Sequence, residues 1–444
     1  MKDLIFRSYD IRGVYRNDID AETMERIGRA FGTYVKGKVV VVCGDVRTST
    51  PEMMKAFMDG AVSTGKIVID GGILPLGAGM YHAWKNNHTY AYITASHLPR
   101  EWTGVKFFHG NGIGFMEEEG EKIKEIFGRG KFSSGKGEVR AESPDRIISE
   151  YIEYLLSKVI PDRKLSVVLD CGNGASCFVA PKLFEKAGFD VQVLYGEPDG
   201  NFPKRSPDPL EDPLIDLRNS TKKADIGIAY DGDGDRMVVM DDTGSRLTPE
   251  QASYIILNEI LKTQKGPIIA NVEVSRVIDD IARSFRREVK RVKVGHTFLM
   301  EGAMKHRASF GVETAAHYVI PSLVPFDDSM AVSFFMACVI SKSKKNLSDM
   351  VSEIPRHSFE RINLECPDMK KPKVIDNLKA RLSKEFRINT LDGIRIDLPE
   401  GWVLIRQSNT GPVIRITIEA GNREQLEELK QKFVPVVREE ISGG

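Results

Sequence analysis

Three aspartates at alternate positions, Asp231, Asp233 and Asp235, are separated only by glycine and followed by Arg236. They leave a strand-like run, Ala224 to Tyr230. Carboxylates this close repel one another strongly unless a cation sits among them, and a hard divalent ion with oxygen ligands, Mg2+ first, suits them. The glycines let the backbone curl so that alternate side chains converge. The spacing overlaps an EF-hand loop, but its twelfth position holds Asp242 in place of glutamate and the following helix is missing. A solvated acidic turn is the bland alternative. The flanking apolar run favours a metal site.

A second group gives that metal something to do. Ser96 stands on the loop leaving the strand-like run Tyr90 to Thr94, beside His97, with Lys106 ten residues on. A serine hydroxyl is a poor nucleophile until a base or metal activates it. Taken alone, a loop serine bonding its own backbone explains the pair as well. Near the end of the chain, Arg406-Gln-Ser-Asn-Thr-Gly-Pro-Val-Ile-Arg415 links two strand-like runs. A guanidinium, hydroxyls, an amide and a flexible turn suit phosphate oxygens, which accept paired bonds from arginine. A plain hairpin turn would need no arginine.

The three groups, in this order and at these separations, make the whole chain resemble the α-D-phosphohexomutase superfamily. Phe6-Arg-Ser-Tyr-Asp-Ile-Arg-Gly13 looks like the opening of its phosphomannomutase/phosphoglucomutase branch. Thr94-Ala-Ser-His-Leu-Pro99 is similar to its phosphoserine loop, with Leu98 where asparagine is usual. Residues 231–236 match the metal loop and 406–410 the phosphate loop. The resemblance implies a phosphoenzyme mutase. Phosphorylated Ser96 would pass its phosphoryl group to a hexose 1-phosphate, and the bisphosphorylated sugar would turn over and return its other phosphate. Mg2+ on Asp231, Asp233, Asp235 and a phosphoserine oxygen would neutralise charge. Arg236 can bridge the metal loop and the phosphoserine. Lys106 and His97 are candidates for acid/base work or charge stabilisation, and His296 matches a cleft histidine. Glu313 would hold sugar hydroxyls, with His317 supporting its loop. Arg406, Ser408, Asn409, Thr410 and Arg415 would grip the other phosphate. Tyr9 and Arg12 come from the opening signature and would contact the intermediate.

One departure bears on the sugar. The resemblance calls for Gly-Glu-x-Ser-Gly-His, and this chain has Val312-Glu-Thr-Ala-Ala-His317 before Phe326-Asp-Asp328. The lost hydroxyl at Ala315 removes about 1 kcal/mol of neutral hydrogen bonding. The methyl groups of Ala315 and Ala316 narrow the loop. Mannose and glucose phosphates are the expected substrates, with glucosamine or pentose phosphates as alternatives. A sugar phosphatase and a non-catalytic sugar-phosphate binder are competing readings from other classes. The phosphate loop argues against the first, and retention of Ser96, Lys106 and the aspartates against the second.

The elements around these groups predict several domains, because 444 residues exceed what one core serves. Strands at Val39–Cys43 and Lys66–Ile69 flank a helix opened by Pro51. The rhythm returns at Lys164–Asp170, followed by the Cys171-Gly-Asn-Gly-Ala175 turn and a helix through Leu183. That turn suits a phosphate or sugar contact, or simply a tight strand-to-helix corner. A third round has strands 267–271 and 291–294 around a helix near 278–285. The expected fold is therefore three similar α/β domains with mixed sheets, 1–144, 145–245 and 246–355, meeting at a central cleft. A C-terminal α+β domain, 356–444, follows: helix 373–386, an antiparallel strand pair 391–405 and 413–419, and helix 423–438.

The 63 basic and 63 acidic residues cancel, which implies no steering toward nucleic acid. The apolar run Met330–Ile340 is too short for a bilayer and reads as a buried helix. No signal peptide is evident near Lys2 and Asp3. Five scattered cysteines, with Cys171 and Cys177 lacking further ligands, read as reduced thiols rather than zinc. The expectation is a cytoplasmic enzyme, monomer or homodimer, acting on small phosphosugars and activated by a sugar 1,6-bisphosphate.

Overall fold

The computed structural model describes residues 5–7, 10–408 and 412–443. Its first sheet has six strands in the order Asp10–Val14, Trp102–Phe108, Thr89–Ile93, Val39–Gly44, Ile67–Ile73 and Glu138–Ala141. The last four of these run parallel, and the first three alternate in direction. The second sheet orders Met237–Asp241, Ile226–Tyr230, Ser166–Asp170 and Asp190–Leu194, with only the first pair antiparallel. The third orders Val289–Val292, Ile268–Asn271, Phe310–Val312 and Tyr318–Val319, with only the last pair antiparallel. Each is a mixed sheet whose parallel centre passes into one antiparallel return. The fourth sheet, Ser358–Glu365, Val413–Ala420, Gly401–Gln407, Ile394–Asp397 and Ile388–Asn389, is antiparallel throughout.

Local sequence accounts for these elements. Val39–Gly44 is buried along nearly its whole length, as an apolar strand covered by helices on both faces must be. Helices Ala21–Tyr34 and Thr50–Ser63 cross closely because a Cβ at Gly28 would lie 2.2 Å from the Phe57 carbonyl oxygen, and one at Gly60 2.0 Å from that of Glu25. Helix Ser329–Ser341 buries every residue except Phe335. Asp328 caps it, accepting from the amides of Met330 and Ala331 and from the Tyr151 hydroxyl.

One apolar core runs from Tyr90 and Tyr92 through Val167 and Ile228 to Ile269 and Phe310, joining the first three units. The C-terminal unit has its own core around Leu378, Ile416 and Phe433. Between it and the third unit lies a small apolar contact of Val272, Trp402 and Leu404. No helix among the described residues is long and apolar enough to cross a membrane. The five cysteines are free.

The structure departs from the expected elements in five places. The run 391–405 is two strands, Ile394–Asp397 and Gly401–Gln407, because Leu398 and Gly401 exchange backbone bonds around a turn holding Pro399. Strand Ser358–Glu365 was not expected, its alternating burial hidden by charged residues. The third-unit strand sits at Val289–Val292, before the expected position, and the C-terminal unit's first helix at Lys371–Leu382. After Cys171 the chain makes a short 3-10 turn, Ala175–Phe178, before helix Ala180–Lys186.

Candidate active site

Most of the residues singled out for chemistry lie in or beside the antiparallel returns of the four sheets; Arg12 is on the first strand and His296 opens helix His296–Lys305. Residues 94–101 link Thr89–Ile93 to Trp102–Phe108, and 231–236 link Ile226–Tyr230 to Met237–Asp241. Residues 313–317 link Phe310–Val312 to Tyr318–Val319, and 408–412 link Gly401–Gln407 to Val413–Ala420. Each return leaves a buried strand, so a rigid sheet fixes the base of each loop.

The first two loops meet. Ser96 Oγ donates to Asp231 at 3.1 Å, and Lys106 Nζ donates to Asp233 at 2.9 Å and Asp235 at 2.5 Å. Ser96 has φ +52°, a left-handed conformation that costs a serine about 1 kcal/mol or more. Its amide bonds the Thr94 hydroxyl at 2.7 Å, which lies 2.8 Å from Asp45 and 3.1 Å from Asp233. Beneath the loop, Arg47 is fully buried against Asp45 at 3.0 Å. Its guanidinium donates to the carbonyls of Ser96, Leu98, Pro99 and Trp102.

Asp231, Asp233 and Asp235 are buried, and one carboxylate oxygen from each lies within 4.8 Å of the others. Asp231 Oδ1 accepts from the amides of Gly234 and Arg236, which shapes the loop. Burial, then Asp235 and Asp233, raises the Asp231 carboxyl well above the usual range. Burial pushes Asp235 up too, but Lys106 leads the positive groups that hold it well below that range. Burial works against a charge on Lys106, and Asp233 and Asp235 overcome it, so the amine stays protonated. One oxygen each of Asp233 and Asp235 has no hydrogen-bond partner. Convergent hard oxygens with unused lone pairs fit a divalent cation.

The third loop is tied to the second. Arg236 Nε donates to His317 Nε2 at 3.0 Å. His317 Nδ1 lies 2.8 Å from Asp327, and His296 Nδ1 lies 3.3 Å from the same oxygen. His296 and His317 stack with ring centroids 5.3 Å apart. Burial would lower His296, yet Asp327 raises it overall. Burial, then Arg236 and Arg12, lowers His97 to about 2. Glu313 accepts from Asn271 at 3.2 Å and from the amide of Gly295, so it is held by the strand end Ile268–Asn271. Ala316 has φ +63°, a conformation glycine takes freely.

Arg406 and Arg415 stand opposite each other on neighbouring strands, not in the turn. Burial, then Arg361 and Arg406, lowers the Arg415 guanidinium. Arg406 pairs with Glu273 at 3.1 Å and Asp392 at 3.2 Å. The Ser408 carbonyl accepts from Lys371 at 2.8 Å. Arg12 pairs with Asp10 at 2.7 Å, on the strand beside that of Lys106. Tyr9, Asn409 and Thr410 lie outside the described residues.

Sequence reasoning missed Asp45, Arg47, Asp327 and Glu273 as parts of this site. The first pair carried a signal, two charges directly after an apolar strand. The Cys171–Ala175 turn proves to be structural. A Cβ at Gly172, φ +54°, would meet Arg205 at 2.5 Å, and Ala175 N bonds the Gly232 carbonyl. Arg205 pairs with Asp170 at 2.8 Å and donates to the Tyr230 carbonyl, bracing the metal loop from below.

Four family descriptions match in order: phosphoglucomutase/phosphomannomutase alpha/beta/alpha domains I, II and III at residues 3–134, 149–244 and 248–357, and the C-terminal domain at 362–436. The chain belongs to the phosphoglucomutase/phosphomannomutase family of phosphohexomutases and is an enzyme. It is 33% identical over 441 residues, 98% of this chain and 97% of the relative, to a probable phosphoglucosamine mutase of Methanopyrus kandleri. It is 31% identical to a phosphoglucomutase/phosphomannomutase of Thermococcus kodakarensis, covering 99% of both chains. A crystal structure of a family protein from Burkholderia thailandensis superposes with TM-score 0.90 at 28% identity, covering 99% of this chain and 98% of that one.

Proposed function

We propose that the chain interconverts the 1- and 6-phosphates of a hexose through phosphorylated Ser96 and a sugar 1,6-bisphosphate. The observation that carries this is Ser96 Oγ, on a strained loop, 3.1 Å from the aspartate cluster and braced from beneath by Arg47. In the forward half-reaction the P–O bond to Ser96 breaks as a new P–O bond forms to the free sugar hydroxyl, which loses its proton. The bisphosphate turns, and its other phosphoryl group returns to Ser96. Asp231, Asp233, Asp235 and a phosphoserine oxygen would hold Mg2+, which supplies charge neutralisation when bound.

The pKa directions sort the proton carriers. Lys106, held protonated, stabilises charge and does not act as a base. His97, at about 2, stays neutral and is too weak a base at neutral pH. His317 is better placed than its expected supporting role suggests. Its Nδ1 faces Asp327 and its Nε2 lone pair accepts from Arg236. When Arg236 turns to a phosphate, that lone pair is released for the sugar proton. Glu313 holds sugar hydroxyls, and Arg406, Ser408, Asn409, Thr410 and Arg415 grip the other phosphate. Arg12, and Tyr9 from the same opening signature, would contact the intermediate, and His296, whose protonated form Asp327 favours, would add positive potential. The proposed domain limits, near 144, 245 and 355, fall between sheets.

The test incubates the purified protein with Mg2+, a trace bisphosphate, and the 1-phosphates of glucose, mannose, glucosamine and ribose. A species heavier by one phosphate is expected by intact mass, and Ser96→Ala should lose both it and turnover while melting normally. Full mutase activity in Ser96→Ala would sink the mechanism; release of inorganic phosphate alone would favour a phosphatase.

A further inference from the structure

Between the third loop and the phosphate clamp lies a carboxylate with no part in that scheme. Glu273, just after strand Ile268–Asn271, is 8% exposed. Its Oε1 lies 3.1 Å from Arg406 Nε, but neither atom has hydrogen-bond alignment. Its Oε2 is 3.8 Å from Arg361 and accepts from the Thr314 hydroxyl at 3.4 Å. Thr314 adjoins Glu313 on the loop read as holding the sugar. Glu273 therefore faces both ends of the space a phosphosugar would fill.

The charges decide what this carboxylate can tolerate. Among the described residues here, Arg361, Arg406 and Arg415 oppose Glu273 and Asp392, one net positive charge. Lys371 is paired with Asp368. An arriving phosphate dianion competes with Glu273 for Arg406 and leaves a buried carboxylate beside it, an arrangement that disfavours binding. A sugar that brings its own ammonium group removes the excess negative charge and supplies Glu273 with a donor. A neutral hexose offers a hydroxyl donor at the same place, so the discrimination comes from the ammonium's charge, which makes the bond to a buried carboxylate charge-assisted on both sides.

We propose that Glu273 receives the amino group of an aminohexose phosphate and makes the chain select amino sugars over neutral ones. This rests on the phosphosugar mutase reading above. In the complex the ammonium donates to Glu273 while the phosphate takes Arg406.

Binding is measured by calorimetry for glucosamine 6-phosphate and glucose 6-phosphate, on wild type and on Glu273→Gln, alongside kcat/KM and melting curves. Wild type should favour the amino sugar at pH 7, and the preference should fade as pH rises through the amine's own titration. Glu273→Gln should weaken the amino sugar roughly 10- to 100-fold, the range for one charged hydrogen bond, and tighten the neutral one. Glu273→Asp, which keeps the charge at shorter reach, should fall between them and serves if the Gln variant melts early. Equal affinities in wild type, or equal tightening of both sugars in Glu273→Gln, would overturn the proposal and leave Glu273 a counter-ion of Arg406. Amine-selective binding without turnover of any phosphosugar would instead remove the mutase reading and keep the assignment. Ser96-dependent turnover with an unchanged sugar ratio would do the reverse.

Discussion

Replacing Arg47 with methionine tests whether the serine loop is held from beneath. Arg47 and Asp45 are both fully buried, 3.0 Å apart, and Arg47 bonds four loop carbonyls besides. Burial already pushes the Asp45 carboxyl up against the pull of Arg47. Without the guanidinium, Asp45 stays buried and unpaired, and the carbonyls of Ser96 and Leu98 lose a charged donor. Removing one partner of a buried pair costs about 3–5 kcal/mol. The first three units share one core, and at roughly 1–2 °C per kcal/mol for a block of that size the transition should fall by about 4–7 °C. Asp45→Asn in the same chain removes the orphaned charge and should restore about 2 kcal/mol, a coupling a double-mutant cycle reads directly. The functional readout is the rate at which a sugar bisphosphate phosphorylates Ser96. A loop displaced by about 1 Å should lose on the order of 100-fold there. The reasoning fails if Arg47→Met melts within about 3 °C of wild type and takes up phosphate at the wild-type rate.

Three further outcomes follow from the same geometry. Chelation should abolish Ser96-dependent turnover and added Mg2+ restore it, while Asp231→Asn, Asp233→Asn or Asp235→Asn lowers metal affinity by orders of magnitude; full turnover in chelator refutes the metal reading. Asp327→Asn should reduce stability in a pH-dependent way. Asp327 raises His296 in the fold, so the contribution of His296 is complete below about pH 6.5 and is lost as pH rises through the raised value. The melting gap between wild type and Asp327→Asn should therefore narrow only above about pH 6.5, and a gap independent of pH counts against the pairing. Ala316→Gly should raise the urea midpoint by about 1 kcal/mol of stability, because φ +63° strains any residue with a Cβ. A lower midpoint would show that burial of the methyl group outweighs that strain.

The aspartate cluster and the serine loop that meet in the structure were legible in the sequence because each is compressed into a short loop. Asp231 to Arg236, Ser96 and Arg406 announce themselves by residue type and spacing, and the apolar runs before them read as strands. The supports were not legible, since each acts at long range. Nothing in Asp45-Val46-Arg47 says that its guanidinium will collect carbonyls some fifty residues later. Asp327 gains meaning only when two histidines from separate elements reach it. Strand Ser358–Glu365 escaped because its polarity does not follow its burial: Phe359 is exposed while Glu360 is on the half-buried face. The turn at Leu398-Pro-Glu-Gly401 did carry its proline and glycine signal, which the surrounding apolar run outweighed.

The way the fourth unit is attached bears on the proposed reaction. A bisphosphate that must turn between two transfers needs a site that encloses it and then loosens. Among the described residues, buried apolar packing between the third and fourth units centres on Val272, Trp402 and Leu404, with Val294 against them, whereas each has an extensive core within itself or toward its other neighbours. The remaining contacts across that boundary are polar. Arg406 meets Glu273, Asp392 meets the amide of Val294, Arg395 donates to the Val272 carbonyl, and Glu419 accepts from the amide of Arg276. Water can replace such contacts at little net cost, while an opened apolar interface loses about 25 cal/mol for each Å2 exposed. The boundary beside Arg406 therefore costs less apolar burial to open than the core that joins the first three units. Two of its contacts, through Arg406 and Asp392, involve the arginine proposed to grip phosphate and one of its counter-ions, so on that proposal arrival of the substrate would change the balance between open and closed positions.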